Sequence, residues 1–306
     1  MSPASIELSF EVFPAASEVA KANLKKSVQK LAQLSPRFVS VTQGADGAGQ
    51  DLTLGTLDTL RIDDPNLGLA GHLTSRTGSK GETLAVAEDY EATGSRWIIA
   101  LRGDSADGAG QPFTPHPHGF QSTPEFITAL KQRTNMRIAV AGYPEKHPDS
   151  PDETSDIDHL KRKVDAGADA IITQFFFDND DFYRFIDRCR LAGIDCPIIP
   201  GIMPINNFAA VARFSERCGA KIPKRVADRF VKADERVASY ELALATCAGQ
   251  CDLLREQGVQ AFHFFTLNRS DLTFNVCQAL GLDPKNPIDG NRAPIENVAP
   301  PQAVSA

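Results

Sequence analysis

The chain has 306 residues, of which 42% are hydrophobic, and 39 acidic against 32 basic side chains leave a net charge of −7. A hydrophobic share of this size argues against a disordered chain, and the acidic balance argues against a nucleic-acid binder, which needs a basic face. No apolar run reaches the roughly 18 residues of a membrane-spanning helix, and no signal peptide is visible. The six cysteines form no Cys-x-x-Cys pair, so we expect reduced thiols and a cytoplasmic protein.

Eight short runs rich in Val, Ile or Phe predict β-strands, and helical patterns alternate with them. The predicted strands are residues 6–14, 37–45, 67–75, 96–104, 137–145, 170–177, 196–204 and 261–268. The helical patterns include residues 17–34, 83–93, 123–133, 155–166 and 178–191. Thr123 before Pro124 predicts an N-cap, and Ser155 with Asp158 predicts a capping box. Gly94, Gly167 and Gly193 are expected to end three of the helices.

Eight strand–helix units over about 280 residues are typical of an α/β protein with a single (β/α)8 TIM barrel. A doubly wound sheet is the alternative, but the first strand ends in Phe13-Pro14-Ala15-Ala16, without the phosphate-binding glycine turn of that fold. Extra helices are expected between strands seven and eight, near residues 223–232 and 235–257. Residues 1–282 therefore form the predicted barrel domain, and the proline-rich residues 283–306 are expected to be a flexible tail.

Barrel enzymes place their chemistry at the carboxyl ends of the strands, so polar side chains that face inward there are candidates. In the first strand, apolar Leu8, Phe10 and Val12 are expected to face the helices, which leaves Glu11 inside near the top. The other strands have the polar inward set Ser40, Thr42, His72, Thr74, Tyr143, Glu145 and Gln174. The matching positions of these side chains favour a functional site over isolated structural contacts.

The fourth strand is interpreted in the same way. Its apolar residues Trp97, Ile99 and Leu101 are expected to face the helices, with Arg102 and Asp104 inside. A lone Arg–Asp pair is more often a structural ion pair, so its function depends on the other strand ends.

Nine motifs along the chain together resemble the bacterial 5,10-methylenetetrahydrofolate reductase family over about residues 6–282. They are SFEVFP at 9–14, FVSVT at 38–42, HLT at 72–74, ALRGD at 100–104, YPEKHP at 143–148, LKRKVDAGA at 160–168, TQFFFD at 173–178, PGIMP at 200–204 and FHFFTLNR at 262–269. Each motif alone is weak, but their common order is specific. The resemblance implies reduction of 5,10-methylenetetrahydrofolate to 5-methyltetrahydrofolate by an FAD enzyme that takes hydride from NADH or NADPH. It also implies a homo-oligomer, dimer or tetramer, that supplies methyl groups for methionine synthesis, without inhibition by adenosylmethionine.

The resemblance also assigns roles to individual residues. Glu11 is implied as the general acid that opens the imidazolidine ring, and Asp104 as a carboxylate beside the flavin and the pterin. The implied substrate-binding residues are Gln174, Phe214 and Arg269. The implied FAD contacts are Thr42, Ala45, His72, Arg102, Gly103, Asp104, Tyr143, His147, Asp156, His159, Arg162 and Lys163. Helical spacing supports part of this set, because Asp156, His159 and Lys163 share one helix face.

Three positions depart from the family pattern. Gln43 stands where relatives often have an aromatic residue beside the flavin, Ala210 stands where some members have a substrate-contacting glutamine, and His159 replaces an asparagine.

Among rival functions, a metal-dependent barrel lyase would use Glu11, His72, Asp104 and Glu145 as ligands. A Schiff-base aldolase would need a strand-top lysine, which none of the eight strands offers. A flavin-binding protein without catalysis is a third possibility, and the acidic Glu11 at the barrel mouth argues against it.

Overall fold

The structure is a computed structural model that describes residues 6–43, 49–76, 78–103, 114–233 and 236–282. Its strands are β1 (Glu7–Val12), β2 (Phe38–Val41), β3 (Leu69–Thr74), β4 (Trp97–Leu101), β5 (Arg137–Gly142), β6 (Ala170–Phe175), β7 (Ile198–Ile202) and β8 (Ala261–Phe265). They form a closed barrel in chain order, and β8 pairs in parallel with β1. The predicted TIM barrel is therefore confirmed, with strands shorter than their sequence patterns.

The helices are α1 (Glu18–Ala32), α2 (Gly49–Asp63), α3 (Lys80–Ala92), α4 (Thr123–Arg133), α5 (Glu153–Asp165), α6 (Asn179–Leu191), α7 (Phe208–Cys218), α8 (Lys224–Lys232), α9 (Arg236–Glu256) and α10 (Ser270–Ala279). Helices α8 and α9 confirm the extra helices expected between β7 and β8. The predicted tail at 283–306 lies outside the described residues. None of the helices in the described ranges is long and apolar enough to cross a membrane.

Local signals explain several helix ends, although two predicted caps were wrong. Gly94, Gly167 and Gly193 follow α3, α5 and α6 with φ of 82°, 112° and 70°, as a glycine stop requires. Helix α4 is capped by Ser122 and not by Thr123, and α5 is capped by Asp152, whose side chain accepts from the Ser155 backbone N–H. Ser and Asp are both good N-caps, so the tertiary position of the loop selects among adjacent candidates.

The barrel has two apolar cores, and they correct the interpretation of β4. The larger core lies between strands and helices and contains Ile98 and Ala100. The smaller core fills the barrel interior and contains Phe38, Trp97 and Ile99. Trp97, Ile99 and Leu101 thus face inward, opposite to the prediction, because a barrel strand is apolar on both faces and its pattern does not report which face is which.

Candidate active site

Glu11 lies near the carboxyl end of β1 with its side chain 13% exposed, and its Oε2 is 3.5 Å from His72 Nε2. Burial raises the pKa of Glu11 to about 8 and lowers the pKa of His72 to about 3. At neutral pH the pair is therefore an uncharged carboxylic acid beside a neutral imidazole. This arrangement holds a transferable proton at the mouth of the barrel.

A buried polar network continues below this pair inside the barrel. His72 Nε2 is 3.2 Å from Ser40 Oγ, and Ser9 Oγ is 2.8 Å from His263 Nδ1. Burial also lowers the pKa of His263 to about 3, so it too is neutral. His263 is not among the site residues predicted from the sequence, although its place between Phe262 and Phe264 marks a polar side chain on the opposite face of a strand.

The loop after β5 gathers several of the predicted cofactor contacts. The rings of Tyr143 and His147 meet edge to face, with centroids 4.5 Å apart. Arg102 Nη2 donates to Asp149 Oδ2 at 2.7 Å, and this hydrogen bond lowers the pKa of Asp149. The pKa of His147 is lowered mainly by burial and, to a smaller extent, by the charge of Arg102. Arg102 therefore lies at the rim with this loop, and the expected inward position of its side chain is wrong in the same way as for the rest of β4.

Helix α5 presents its charged face to the same loop. Asp156 is buried, and its Oδ2 accepts from the His147 backbone N–H at 3.1 Å. Lys163 is also buried and donates from Nζ to the Ala141 carbonyl at 2.6 Å, and burial lowers its pKa to about 8. His159 lies 3.5 Å from Arg162 Nη2 through its Nδ1, and burial together with nearby Lys163 lowers its pKa to about 4. The shared helix face is thus confirmed, and it is joined to the barrel rim.

Gln174 and Phe214 lie on the other side of the mouth. Gln174 precedes Phe175 at the end of β6, and Phe214 on α7 stacks on the Phe175 ring at 5.5 Å and 23°. A small cleft between the two sides is lined by Tyr143, Glu145, Gln174 and Phe175, among others. The cleft therefore lies between a predicted cofactor contact, Tyr143, and a predicted substrate residue, Gln174.

Arg269 is the exposed N-cap of α10, directly after a turn in which Leu267 and Asn268 have φ of 51° and 57°. Asn268 holds this turn against β1, because its Oδ1 accepts from the Phe13 N–H at 2.7 Å and its Nδ2 donates to the Phe13 carbonyl. The Arg269 backbone is thereby held near the end of the strand that carries Glu11. The predicted residues Ala45 and Asp104 lie outside the described residues.

The residues at the ends of β2, β3 and β4 pack closely against one another beside the mouth of the barrel. Gln43 Oε1 accepts from the Thr74 backbone N–H at 2.7 Å, and its buried Nε2 has no partner among the described residues. Gly103 has φ of 86°, and a Cβ there would lie 3.1 Å from Thr74 Cβ. Thr42, which precedes Gln43, accepts at its carbonyl from Thr53 Oγ1 at 2.8 Å. The buried Gln43 Nε2 donor and the Gly103 backbone therefore both lie close to Thr74.

The proposed ligand set of a metal lyase is not assembled in the described part of the chain. Glu145 accepts from the backbone N–H of Lys221 through both oxygens. Within the described ranges, no group of three or more His, Cys, Asp or Glu side chains is arranged to hold a metal ion.

Comparison with known proteins identifies the family to which this chain belongs. The model of the family "Methylenetetrahydrofolate reductase" matches residues 2–281. The 5,10-methylenetetrahydrofolate reductase of Escherichia coli is 39% identical over 280 residues, which are 91% of this chain and 92% of that protein. A Zea mays protein named methylenetetrahydrofolate reductase (NADH) 1 is 33% identical over 90% of this chain and 48% of its own length.

Among solved structures, an uncharacterized Clostridium thermocellum protein that binds two copies of 5-methyl-5,6,7,8-tetrahydrofolic acid superposes with a TM-score of 0.59. It is 12% identical and covers 90% of this chain and 95% of its own, so the likeness concerns the fold alone. The family match extends through all eight strands, including those that hold Glu11, His72 and Gln174. The chain therefore belongs to the methylenetetrahydrofolate reductase family of oxidoreductases.

Proposed function

We propose that this protein reduces 5,10-methylenetetrahydrofolate to 5-methyltetrahydrofolate, with FAD as its cofactor and NADH or NADPH as the electron donor. The observation that carries the proposal is the nearly buried Glu11 carboxyl at the barrel mouth, 3.5 Å from His72, because burial raises its pKa to about 8. Reduction of this substrate begins with ring opening, which needs an acid that still holds its proton at neutral pH. In the cell, we expect a cytoplasmic homo-oligomer whose product supplies methyl groups for methionine synthesis.

The residues present fit FAD in two respects. The orphaned Nε2 of Gln43 is a buried donor for which the carbonyl oxygens and ring nitrogens of a flavin are suitable acceptors. The cofactor's ribose and pyrophosphate need donors and acceptors, which Arg102, His147, Asp156 and Lys163 provide along one rim of the barrel. The remaining contacts of this proposed site are Thr42, Ala45, His72, Gly103, Asp104, Tyr143, His159 and Arg162.

In the proposed mechanism, Glu11 donates its proton to the departing nitrogen of the imidazolidine ring. The C–N bond to that nitrogen then breaks, and its electron pair stays on the nitrogen. The methylene carbon becomes part of an iminium cation with the other ring nitrogen. Asp104 stabilises this positive charge, while Gln174, Phe214 and Arg269 bind the pterin, the side chain and a carboxylate of the folate. FAD held at this site would supply the hydride that reduces the carbon, and the nicotinamide donor would return the electrons to FAD in a ping-pong cycle.

The direct test is anaerobic spectroscopy of the purified protein. We expect visible flavin bands that are bleached by NADH or NADPH and restored by 5,10-methylenetetrahydrofolate, with 5-methyltetrahydrofolate as the product. The comparison of the two nicotinamides identifies the donor. A colourless protein, or an activity that is lost on chelation of metals, would contradict the proposal and favour the metal lyase.

The raised pKa of Glu11 predicts a pH dependence for the folate half-reaction. The acid is protonated below a pH of about 8, so kcat/KM for the folate is expected to be constant there and to fall about ten-fold per pH unit above it. Flavin reduction by the nicotinamide does not use this proton and is expected to lack the same decline. Stopped-flow measurement of both half-reactions across pH 6–10 checks this, and a shared decline would contradict the assignment.

A further inference from the structure

The loop after β5 and the segment after α7 are joined across the mouth of the barrel. Glu145 lies three residues beyond β5, and its Oε1 and Oε2 accept from the backbone N–H of Lys221 at 2.9 and 3.1 Å. These residues are 76 positions apart in the chain, so the contact is purely tertiary. It ties the side of the mouth that carries Tyr143 and His147 to the side that carries Phe214.

Close packing reinforces the same joint. Gly219 caps α7 with φ of 75°, and a Cβ at this position would lie 2.9 Å from Pro148 Cγ. The end of α7 therefore rests directly on the loop after β5, in a backbone conformation that favours glycine. Movement of either segment would carry the other with it.

The loop that holds Glu145 is itself held by several hydrogen bonds. Lys146 has φ of 82°, and its Nζ donates to the carbonyls of His147 and Ser150. The Lys146 backbone N–H also donates to the Tyr143 carbonyl at 3.1 Å, and Arg188 Nη2 donates to the Pro144 carbonyl at 2.9 Å. A carboxylate on such a loop is a fixed point from which a neighbouring helix can be positioned.

The helix that is held in this way carries a site residue. Phe214 lies five residues before Gly219, half-buried, with one face of its ring on Phe175 and the Arg217 guanidinium 5.7 Å from its centroid. Since α7 has only 11 residues, a shift at its C-terminal end displaces Phe214 by a similar amount. The cleft between Tyr143, Gln174 and Gly219 would change width with it.

We infer that Glu145 is a positioning residue that sets the place of the Phe214 ring, and with it the affinity for the folate, by holding the end of α7 against the loop after β5. The inference rests on the proposed function, in which Phe214 contacts the substrate. Glu145 itself touches neither the reacting atoms nor the folate in the proposed mechanism. Its effect should therefore pass through Phe214 and disappear when that ring is absent.

A double-mutant cycle tests this coupling. Glu145→Ala is expected to raise KM for 5,10-methylenetetrahydrofolate on the order of ten-fold, because a displacement of the Phe214 ring by about 1 Å is enough to cost that much. Phe214→Leu is expected to raise KM by a similar factor, because it removes the ring. The double variant is expected to stay within about two-fold of Phe214→Leu alone. The FAD affinity, measured by titration of the apoprotein, is expected to stay within about two-fold of the unmodified chain in all three variants.

Three further variants separate positioning from a general loss of structure. Glu145→Gln keeps an oxygen that can accept from Lys221 and should restore KM to within about two-fold of the unmodified value. Glu145→Asp keeps the charge but is one methylene shorter, so it should behave like Glu145→Ala and replaces it if that variant does not fold. Glu216→Ala removes an exposed carboxylate from the same helix and should leave KM unchanged.

The outcomes are distinguishable. Additive effects of Glu145→Ala and Phe214→Leu, or an unchanged KM in Glu145→Ala and Glu145→Asp, overturn the positioning role and leave the proposed function standing. An unchanged KM in Phe214→Leu overturns the inference, because it would show that the Phe214 ring does not contact the folate. If the unmodified chain binds FAD but does not reduce the folate, the proposed function fails and the inference fails with it.

Discussion

Glu11→Gln is expected to abolish folate reduction while the flavin is still reduced by the nicotinamide donor. Loss of a general acid costs about 10²–10⁴-fold in rate, and the neighbouring His72 cannot replace it, because burial lowers the pKa of His72 to about 3. Glutamine has nearly the shape of a protonated glutamate, and Glu11 is protonated below a pH of about 8. The variant should therefore fold and bind FAD like the unmodified chain.

Stopped-flow absorbance at the flavin band measures the two half-reactions separately in this variant. A loss of both half-reactions would indicate that Glu11 holds the cofactor and does not act as the acid. Near-normal folate reduction would show that the proton comes from elsewhere. Thermal unfolding of Glu11→Gln serves as the control, because a folded variant is required for either conclusion.

Gly201→Ala is expected to destabilise the barrel by about 3–5 kcal/mol or to prevent folding. A Cβ on Gly201 would lie 2.1 Å from the Thr173 carbonyl oxygen and 2.6 Å from Phe265 Cε2, and a backbone atom cannot move aside as a flexible side chain can. Gly201 also donates from its backbone N–H to Thr173 Oγ1 at 2.9 Å. The substitution would therefore separate β7 from β6 next to Gln174.

Gly55→Ala is the matched control for this substitution. Gly55 is exposed on α2, and a Cβ there has nothing within 4 Å. Alanine should raise the stability by about 0.5–1 kcal/mol, because glycine in a helix loses more conformational freedom on folding. Urea unfolding of both variants measures the difference. A Gly201→Ala chain as stable as Gly55→Ala would show that the β6–β7 contact relaxes at little cost.

The order of the elements could be predicted from the sequence because strand and helix patterns depend on neighbouring residues. Eight apolar runs, separated by helical patterns, were enough to predict the barrel, and the glycines after α3, α5 and α6 lie where a helix stop needs a positive φ. The extra helices α8 and α9 followed from the same local patterns. The position of Glu11 near the end of β1 was confirmed because polar and apolar side chains alternate cleanly along that strand.

The direction of β4 and the contacts across the mouth could not be obtained in this way. Trp97 and Ile99 pack inside the barrel, and only the closure of the sheet decides which apolar face lies inward. The neutral His263 and the Glu145–Lys221 contact likewise depend on residues brought together from distant parts of the chain. The roles assigned to the site residues stay predictions, and Asp104 and Ala45 also lie outside the described residues.

The barrel follows from the local periodicity of the sequence, whereas the roles of its candidate site residues are predictions that rest mainly on motifs shared with a family. The raised pKa of Glu11 arises only in the folded chain, because it depends on burial and not on neighbours in the sequence. The tertiary structure also decided how α7 is held against the loop after β5, through a hydrogen bond and a glycine contact that no local pattern encodes. Local propensity selects the elements, whereas desolvation and packing between distant segments determine the chemistry of the site.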